Sequence, residues 1–363
     1  MKRLDPRLLG MHLGKPLIGP DTLHIDITNG CNTNCVTCWD HSPHLLQPRP
    51  QHWKRQRIDS ATVCDILSEV SEQGGLRSVI LSGMGEPFTH PEIYNMIGEV
   101  KRRGLYLTII TNLVASDPKR IVSLGVDQLL IGLHAASKAA YQAFHPSFVS
   151  DEWERVLTML AQFREAGRRF KHIHVICREN AHELPAMIQQ AAEYRADQVN
   201  FKLASLREGT EAVRITDSQR QQILSEWLPR AQEEADRLSV TANFAVFSEQ
   251  LRAGEQRTAP IEDIGCFMGY SYARILVDGT VLYCCSPDVV IGNLADGPFP
   301  SLWEGPRWNE VRAQLRRGEY FPACHQCGKF NMNHSLSQRF AQSFGQERLY
   351  QVIGRKRREA DKP

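Results

Sequence analysis

The chain has 363 residues, of which 42% are hydrophobic and 23% are charged, so it can bury a sizeable core and is neither fibrous nor intrinsically disordered. Lys and Arg number 43 against 41 Asp and Glu, and the net charge of +2 therefore predicts no nucleic-acid or membrane-surface partner. No apolar run reaches the length of a membrane-spanning helix, and we expect an unexported, cytoplasmic protein. Composition selects one feature, the ten cysteines, which in a cytoplasmic chain indicate metal binding more often than disulfides.

Strand and helix patterns alternate over the first two thirds of the chain. Helical patterns, the first with Ser60 as its N-cap, separate six predicted strands. Strands joined through helices pair in parallel by right-handed crossovers, which brings their C-terminal ends and the functional loops to one edge. We therefore expect an α/β fold with a partial (β/α)6 barrel. The predicted strands are residues 21–27, 78–81, 106–110, 128–133, 172–176 and 198–203.

The pattern changes after residue 217. A polar helix over 218–238 and short strand-like segments at 240–247, 272–277 and 281–283 predict a bridge followed by a small α+β domain. The expected domains are an N-terminal extension (1–20), the barrel (21–217), a bridging helix and strand (218–262), a cysteine-bearing domain (263–340) and a C-terminal helix or tail (341–363).

The cysteines fall into groups that differ in number. Three thiolates leave one iron of a cubane cluster without a protein ligand, whereas four can close a cluster completely. The three-cysteine site therefore looks reactive and the four-cysteine site looks saturated. The first group is Cys31, Cys35 and Cys38, the second is Cys266, Cys284, Cys324 and Cys327, and Cys64, Cys177 and Cys285 are left over, with Cys285 an alternative to Cys284.

Three segments at predicted strand ends resemble motifs of the radical S-adenosylmethionine (SAM) superfamily. Cys31-Asn-Thr-Asn-Cys35-Val-Thr-Cys38 resembles the CxxxCxxC motif, and Gly83-Met84-Gly85-Glu86-Pro87 is similar to the GGEP segment, whose backbone and glutamate bind the methionine amino group. Thr111-Asn112 resembles the Thr-Asn pair that ends the third strand. The resemblance implies SAM and a 4Fe-4S cluster as cofactors. Thr37 stands where the family commonly has an aromatic residue or Met, so Trp39 is the candidate to pack on adenine.

The second cysteine group resembles the SPASM/twitch extension of the superfamily. Gly279, four residues and Cys284, followed by Cys324-His-Gln-Cys327, match its spacing, and the lack of later cysteines favours the twitch form with one auxiliary 4Fe-4S cluster. The resemblance implies a partial (β/α)6 radical SAM barrel followed by a small α+β twitch domain. Structural zinc is the alternative for the four cysteines. Likewise, the two glycines could form a simple turn and Glu86 could cap the next helix.

Two further residues are candidates for catalysis. His134 ends the fourth predicted strand, where many SPASM relatives read Ser-x-Asp, and could contact substrate or act as an acid or base; a satisfied core histidine is the alternative. Cys177 ends the fifth strand and could donate a hydrogen atom, as epimerases of the superfamily require, or could simply be a small buried hydrophobe.

The resemblance implies a radical SAM oxidoreductase. Reductive cleavage of SAM gives a 5′-deoxyadenosyl radical that abstracts hydrogen, and an auxiliary cluster favours net oxidation. Thirty residues precede Cys31, too few for an N-terminal leader-peptide domain, so we expect a small polar natural product of the sugar, aminocyclitol or nucleoside type, and an electron donor such as flavodoxin or ferredoxin. The alternatives are a maturase or epimerase of a ribosomal precursor peptide, and a zinc-stabilised binding protein without catalysis.

Overall fold

A computed structural model describes residues 4–253 and 260–354 of the chain. Within these ranges the strands are β1 Thr22–Asp26, β2 Ser78–Ser82, β3 Tyr106–Thr111, β4 Gln128–Gly132, β5 Phe170–Ile176, β6 Gln198–Leu203, β7 Tyr272–Ile275, β8 Thr280–Leu282 and β9 Val290–Asn293. The α-helices are α1 Pro6–Leu13, α2 Gln51–Lys54, α3 Ser60–Glu72, α4 Ile93–Arg102, α5 Pro118–Leu124, α6 Lys138–Phe144, α7 Glu152–Glu165, α8 Leu184–Glu193, α9 Asp217–Gln222, α10 Leu228–Leu238, α11 Phe244–Ala253, α12 Ile261–Ile264, α13 Phe299–Trp303, α14 Pro306–Arg316, α15 Phe330–Phe344 and α16 Gln346–Val352. A π-helical segment, Ile223–Trp227, joins α9 to α10.

The chain divides into two compact units. Among the described residues, the central unit comprises 27–60 and 80–253, and the terminal unit comprises 4–26, 61–79 and 260–354. No helix in the described part of the chain is both long enough and apolar enough to cross a membrane. Every strand predicted between residues 21 and 203 is present, with bounds that differ from the prediction by at most two residues.

The sheet of the central unit is parallel and is covered by helices on one face. Its strands lie in the order β6-β5-β4-β3, each paired in parallel with the next. Along β5 every second side chain is buried, as expected for a strand with one covered face. On that face Phe201 packs against Phe244 and Phe247 of α11, with ring centroids 5.8 and 5.6 Å apart. The C-terminal ends of these strands carry Thr111, His134 and Cys177.

One predicted strand is a helix. Residues 240–247 read as a strand because apolar residues alternate there, but the structure has helix α11 from Phe244. Phe247 and Leu251 recur at helical spacing and are buried on the covered face of the sheet, so packing of that helical stripe decides the conformation.

The terminal unit pairs β1 with β7 in parallel, and β7, β8 and β9 follow as antiparallel neighbours. Its core is aromatic: the rings of Trp303 and Trp308 meet edge to face at 4.5 Å. The guanidinium of Arg312, only 1% exposed, lies 4.7 Å from the Trp303 ring centroid and donates to the carbonyl oxygens of Gly269 and Trp303 at 2.8 Å each. A buried cation is tolerated here because aromatic faces and carbonyl oxygens replace its solvent. Residues 355–363 of the expected C-terminal tail lie outside the described residues.

Candidate active site and cluster-binding cysteines

The loop after β1 carries the three-cysteine motif, and backbone amides point at its sulfur atoms. The Asp40 amide donates to Cys38 Sγ at 3.5 Å, and the Cys38 amide donates to the Cys35 carbonyl at 3.0 Å. Burial raises the pKa of the Cys31 thiol to about 12, opposed by an amide hydrogen bond from Thr33 and reinforced by the nearby Glu86 and Cys38. Burial also raises the pKa of the Cys35 thiol, and the nearby Cys38 and Cys31 raise it further. The three thiols therefore lie close together, and backbone amides that can stabilise sulfur ligands donate hydrogen bonds to them.

Gly83 and Gly85 lie where no side chain fits. A Cβ on Gly83 would stand 2.2 Å from the Thr28 carbonyl oxygen, and a Cβ on Gly85 would stand 1.9 Å from the Gly30 carbonyl oxygen. The backbones touch because the Gly85 amide donates to the Thr28 carbonyl at 3.1 Å and the Glu86 amide donates to the Gly30 carbonyl at 2.9 Å. The glycines therefore do more than form a turn: they let this segment, which includes Met84, lie directly against the start of the cysteine loop.

Glu86 is buried and its carboxylate is held by the end of β3. It accepts hydrogen bonds from the Thr111 hydroxyl at 2.6 Å and from the amides of Asn112 and Phe88 at 2.7 and 3.1 Å. Burial raises its pKa to about 7, although these three donors act in the opposite direction. The Phe88 bond is a helix cap, which the sequence offered as the alternative role, but the Thr111 and Asn112 bonds also tie the GMGEP segment to the third strand. The Asn112 side chain in turn donates to Asn32 Oδ1 at 2.7 Å, inside the cysteine motif.

His134 and Cys177 follow β4 and β5 and are linked through Asn180. The buried Asn180 side chain accepts from the Cys177 amide at 2.9 Å and donates to the carbonyl oxygens of His134 and Val175 at 2.7 and 2.9 Å. His134 is partly buried, and its Nδ1 accepts from the Val175 amide at 3.1 Å. Loss of solvent around the ring lowers its pKa well below the usual value. The ring is thus neutral and carries its proton on Nε2.

The Cys177 thiol is fully buried in a small apolar cluster with Val36 and Phe144. Burial raises its pKa to about 12, so it stays protonated. Cys35 and Val175 pack at the edge of the same cluster, which places the cysteine loop beside the end of β5.

Trp39, directly after the third cysteine, is fixed by two partners. Its indole N–H donates to the Ser205 carbonyl at 2.7 Å, and the Arg207 guanidinium stacks 3.8 Å from its ring centroid. Asn180 and Arg207 also contribute to the site, although neither was among the predicted site residues. The position of Asn180 just after a predicted strand was the available signal for the first, whereas no sequence pattern indicates the second.

Five cysteines of the terminal unit lie in one region, one more than the predicted four. The Asn333 side chain approaches two of them, with Nδ2 3.9 Å from Cys266 Sγ and 3.7 Å from Cys327 Sγ. A hydrogen bond from the Cys284 thiol lowers the pKa of Cys285, an effect that burial opposes and that Lys329 and Arg274 reinforce. Cys285 is therefore a second sulfur donor beside Cys284.

The two cysteine groups bring together different numbers of thiols. None of the ten cysteines forms a disulfide. Among the described residues no three His, Cys, Asp or Glu side chains converge so as to hold one metal ion. A zinc ion needs four ligands at about 2.0–2.3 Å from one point, whereas a cubane cluster spreads its ligands over four irons. Three thiols with amide donors at one site and five thiols at the other fit a cluster with an open iron and a fully ligated cluster.

Two domain families match the chain. Residues 25–191 match the Radical SAM superfamily, and residues 266–328 match SPASM, an iron-sulfur cluster-binding domain. The chain thus contains a radical SAM domain followed by a SPASM domain. It is a radical SAM enzyme with a SPASM-type domain, and it binds SAM and a 4Fe-4S cluster in the first domain and an auxiliary iron-sulfur cluster in the second. The alternative of a non-catalytic, zinc-stabilised protein is therefore not retained.

Known radical SAM proteins resemble the chain to different extents. The AdoMet-dependent heme synthase of Methanosarcina barkeri is 22% identical over 315 residues, which cover 83% of this chain and 86% of that protein. A tungsten-containing aldehyde ferredoxin oxidoreductase cofactor-modifying protein of Pyrococcus furiosus is 27% identical over 174 residues, 46% of each chain. Among solved structures, Streptococcus suis SuiB bound to precursor peptide SuiA has a TM-score of 0.62 at 16% identity and covers 85% of this chain and 70% of its own. The structural likeness establishes the shared fold.

Proposed function

We propose that this radical SAM enzyme abstracts a hydrogen atom from a small, polar, non-peptide metabolite and completes a two-electron oxidation, with the auxiliary cluster as acceptor of the second electron. The substrate class is a sugar, an aminocyclitol or a nucleoside. When bound, the SAM-binding cluster supplies the electron that cleaves SAM to methionine and the 5′-deoxyadenosyl radical. Hydrogen transfer then gives 5′-deoxyadenosine and a substrate radical, which reaches the oxidised product by losing one electron and one proton.

The extent of the match to the heme synthase supports a small-molecule substrate. The relative that matches 83% of this chain and 86% of its own length is a heme synthase, so an enzyme with a small-molecule product parallels most of this sequence. The cofactor-modifying relative, whose name also indicates a non-peptide target, covers 46% of its own length. This correspondence over most of both chains is the observation that carries the proposal.

The central unit would fix the SAM-binding residues rigidly. Gly83, Met84 and Gly85 lie along the start of the cysteine loop, so their backbone can present a carbonyl oxygen to an ammonium group close to the cysteines. Glu86 is held by Thr111 and Asn112, and a bound ammonium group would favour its charged form. Rigid placement matters because a primary carbon radical attacks whichever C–H bond it meets first.

Within this proposal His134 and Cys177 have different roles. The His134 Nε2–H is the group that this ring can offer to a substrate, because Nδ1 already accepts the Val175 amide. We assign it to hydrogen-bond substrate and not to accept the released proton, since its pKa lies well below the usual value. Cys177 is protonated, as a hydrogen-atom donor must be, but it is 0% exposed, and net oxidation requires no such donor.

The terminal unit has enough thiols to ligate every iron of its cluster. Five cysteines lie together there, and a 4Fe-4S cluster takes four. Complete ligation supports electron transfer over direct binding of substrate to iron.

The test begins with anaerobically reconstituted enzyme and two panels of compounds. One panel holds sugars, aminocyclitols, nucleosides and tetrapyrroles, and the other holds peptides; formation of 5′-deoxyadenosine above the substrate-free rate identifies a substrate. We expect stimulation by the first panel, one 5′-deoxyadenosine per oxidised product, and about eight irons per chain. A Cys31→Ala/Cys35→Ala/Cys38→Ala variant should keep about four irons and make no 5′-deoxyadenosine.

The peptide-modifying alternative has its own support, since SuiB shares the fold and its structure contains the precursor peptide SuiA. Stimulation by peptides alone would replace the small-molecule proposal with that alternative. Product formed without any change in the redox state of the auxiliary cluster during a single turnover would reject the oxidation step.

A further inference from the structure

A buried ion pair connects β1 and β7 to the second cysteine group. Asp26, which is 0% exposed, accepts from Arg274 Nη2 at 2.7 Å and from Arg274 Nε at 3.0 Å. The remaining arm of the guanidinium, Nη1, donates to the backbone carbonyl of Cys285 at 3.0 Å. Arg274 thus holds the backbone of a cysteine in the cluster region while its charge stays largely out of water.

A second cation packs against strand β7. Lys329 comes two residues after Cys327, and its Nζ stands 4.6 Å from the ring centroid of the buried Tyr272. The Tyr272 hydroxyl is hydrogen-bonded to His24 Nδ1 at 2.6 Å, and His24 Nε2 lies 3.4 Å from Asp26 Oδ1. Burial lowers the pKa of His24 to about 4, so at neutral pH His24 carries no charge. The formal charges of this network are Arg274, Lys329 and Asp26, a sum of +1.

We propose that Arg274 and Lys329 act as positioning residues that raise the reduction potential of the auxiliary cluster and so make it the electron acceptor in the oxidation. This inference rests on the proposed function. A thiolate-ligated cluster becomes more negative when it is reduced, and a nearby cation stabilises that state more than the oxidised one. The effect is strong where water is excluded, because charges then interact at a lower effective dielectric constant.

The position of Asp26 explains how Arg274 can remain there. An unpaired guanidinium would be costly to bury, and the carboxylate repays part of that cost through two hydrogen bonds. The same carboxylate opposes the effect of Arg274 on the cluster, since a nearby anion destabilises the reduced state. Opposite substitutions in this network must therefore shift the potential in opposite directions, which a purely structural role would not produce.

The experiment uses the full chain with Cys31→Ala/Cys35→Ala/Cys38→Ala, which leaves the auxiliary cluster as the only one to titrate. Its midpoint potential is measured by redox titration followed by electron paramagnetic resonance, and no substrate is needed. We expect Lys329→Met to lower the equilibrium constant for reduction of the auxiliary cluster about tenfold, which lowers the midpoint potential by about 59 mV for one electron. We expect Asp26→Asn to raise the midpoint potential. The Lys329→Arg variant keeps the positive charge and should have the same midpoint potential as the parent protein.

Arg317→Met is the matched control, because Arg317 lies in the same unit, is exposed and pairs with Glu319 at 2.8 Å. This control should leave the potential unchanged. If Asp26→Asn does not fold, Lys329→Met and Lys329→Arg still decide the matter. Unchanged potentials in Lys329→Met at full iron content, or shifts of the same sign for Lys329→Met and Asp26→Asn, would overturn the inference. Absence of iron from the triad variant would instead overturn the proposed function, because no auxiliary cluster would then exist.

Discussion

Gly85→Ala is the substitution that most directly tests how the cysteine loop is positioned. The new Cβ would lie 1.9 Å from the Gly30 carbonyl oxygen, and both of its closest neighbours, that oxygen and its carbon at 2.4 Å, are backbone atoms. Backbone cannot rotate away as a flexible side chain can, so the segments must separate. Overpacking of this kind costs about 1–3 kcal/mol, and each of the two backbone hydrogen bonds at risk contributes about 1 kcal/mol.

We therefore expect Gly85→Ala to lower the unfolding free energy by about 3–5 kcal/mol and to weaken SAM binding. The change in unfolding free energy is measured by urea unfolding of the cluster-free protein, with a spectroscopic probe placed in the central unit. SAM binding is measured by equilibrium dialysis with the reconstituted enzyme. Both readings are needed, because a general loss of stability and a local displacement of the cysteine loop predict different ratios of the two effects.

Gly98→Ala provides the control within the same unit. Gly98 lies inside helix α4 with no atom within 4 Å of the position a Cβ would take. Alanine there should stabilise the chain by about 0.5–1 kcal/mol, because glycine is a poor helix former. The steric reasoning would be refuted if Gly85→Ala matched Gly98→Ala in both stability and SAM affinity.

Two more predictions concern buried titratable groups of the central unit in the cluster-free, SAM-free protein. The pKa of Glu86 is raised from its usual value of 4.5 to about 7, so its contribution to stability is full below pH 4.5 and is lost as the pH rises through 7, about 3 kcal/mol in all. The Glu86→Gln variant should therefore show a flatter dependence of the unfolding free energy on pH between 4.5 and 7. A slope equal to that of the parent protein would contradict the assignment. His172 is fully buried, its ring nitrogens have no hydrogen-bond partner among the described residues, and burial lowers its pKa to about 4. Its contribution is therefore present above pH 6.5 and lost as the pH falls towards 4, and His172→Leu should shift acid unfolding, followed by circular dichroism, to lower pH, whereas a shift to higher pH would show that the imidazole is satisfied.

Most of the fold follows from local sequence patterns, and most of the site geometry does not. Alternation locates the strands because it reports which face of each strand is covered, and the same rule fails at residues 240–247 because helix α11 satisfies the pattern by packing Phe247 against Phe201. The cysteine spacings likewise give candidate cluster ligands, and this assignment stays a prediction. By contrast, the pairing of Asp26 with Arg274 spans 248 residues, and a sequence pattern carries no information about such a contact.

Hydrogen bonds to buried polar side chains fix the strand ends of the central unit, and this explains how the strand ends tolerate strained backbone angles. Leu113 after β3 and His134 after β4 have positive φ angles of 73° and 60°, a region that costs a residue with a side chain about 1–2 kcal/mol. The Leu113 amide is held by the Thr111 hydroxyl at 2.7 Å, and the His134 carbonyl is held by Asn180 at 2.7 Å. Because these holders are anchored in turn, Thr111 on Glu86 and Asn180 on β5, each strained turn has one geometry available. A scaffold of that kind suits radical chemistry, where selectivity depends on which carbon is held nearest the radical.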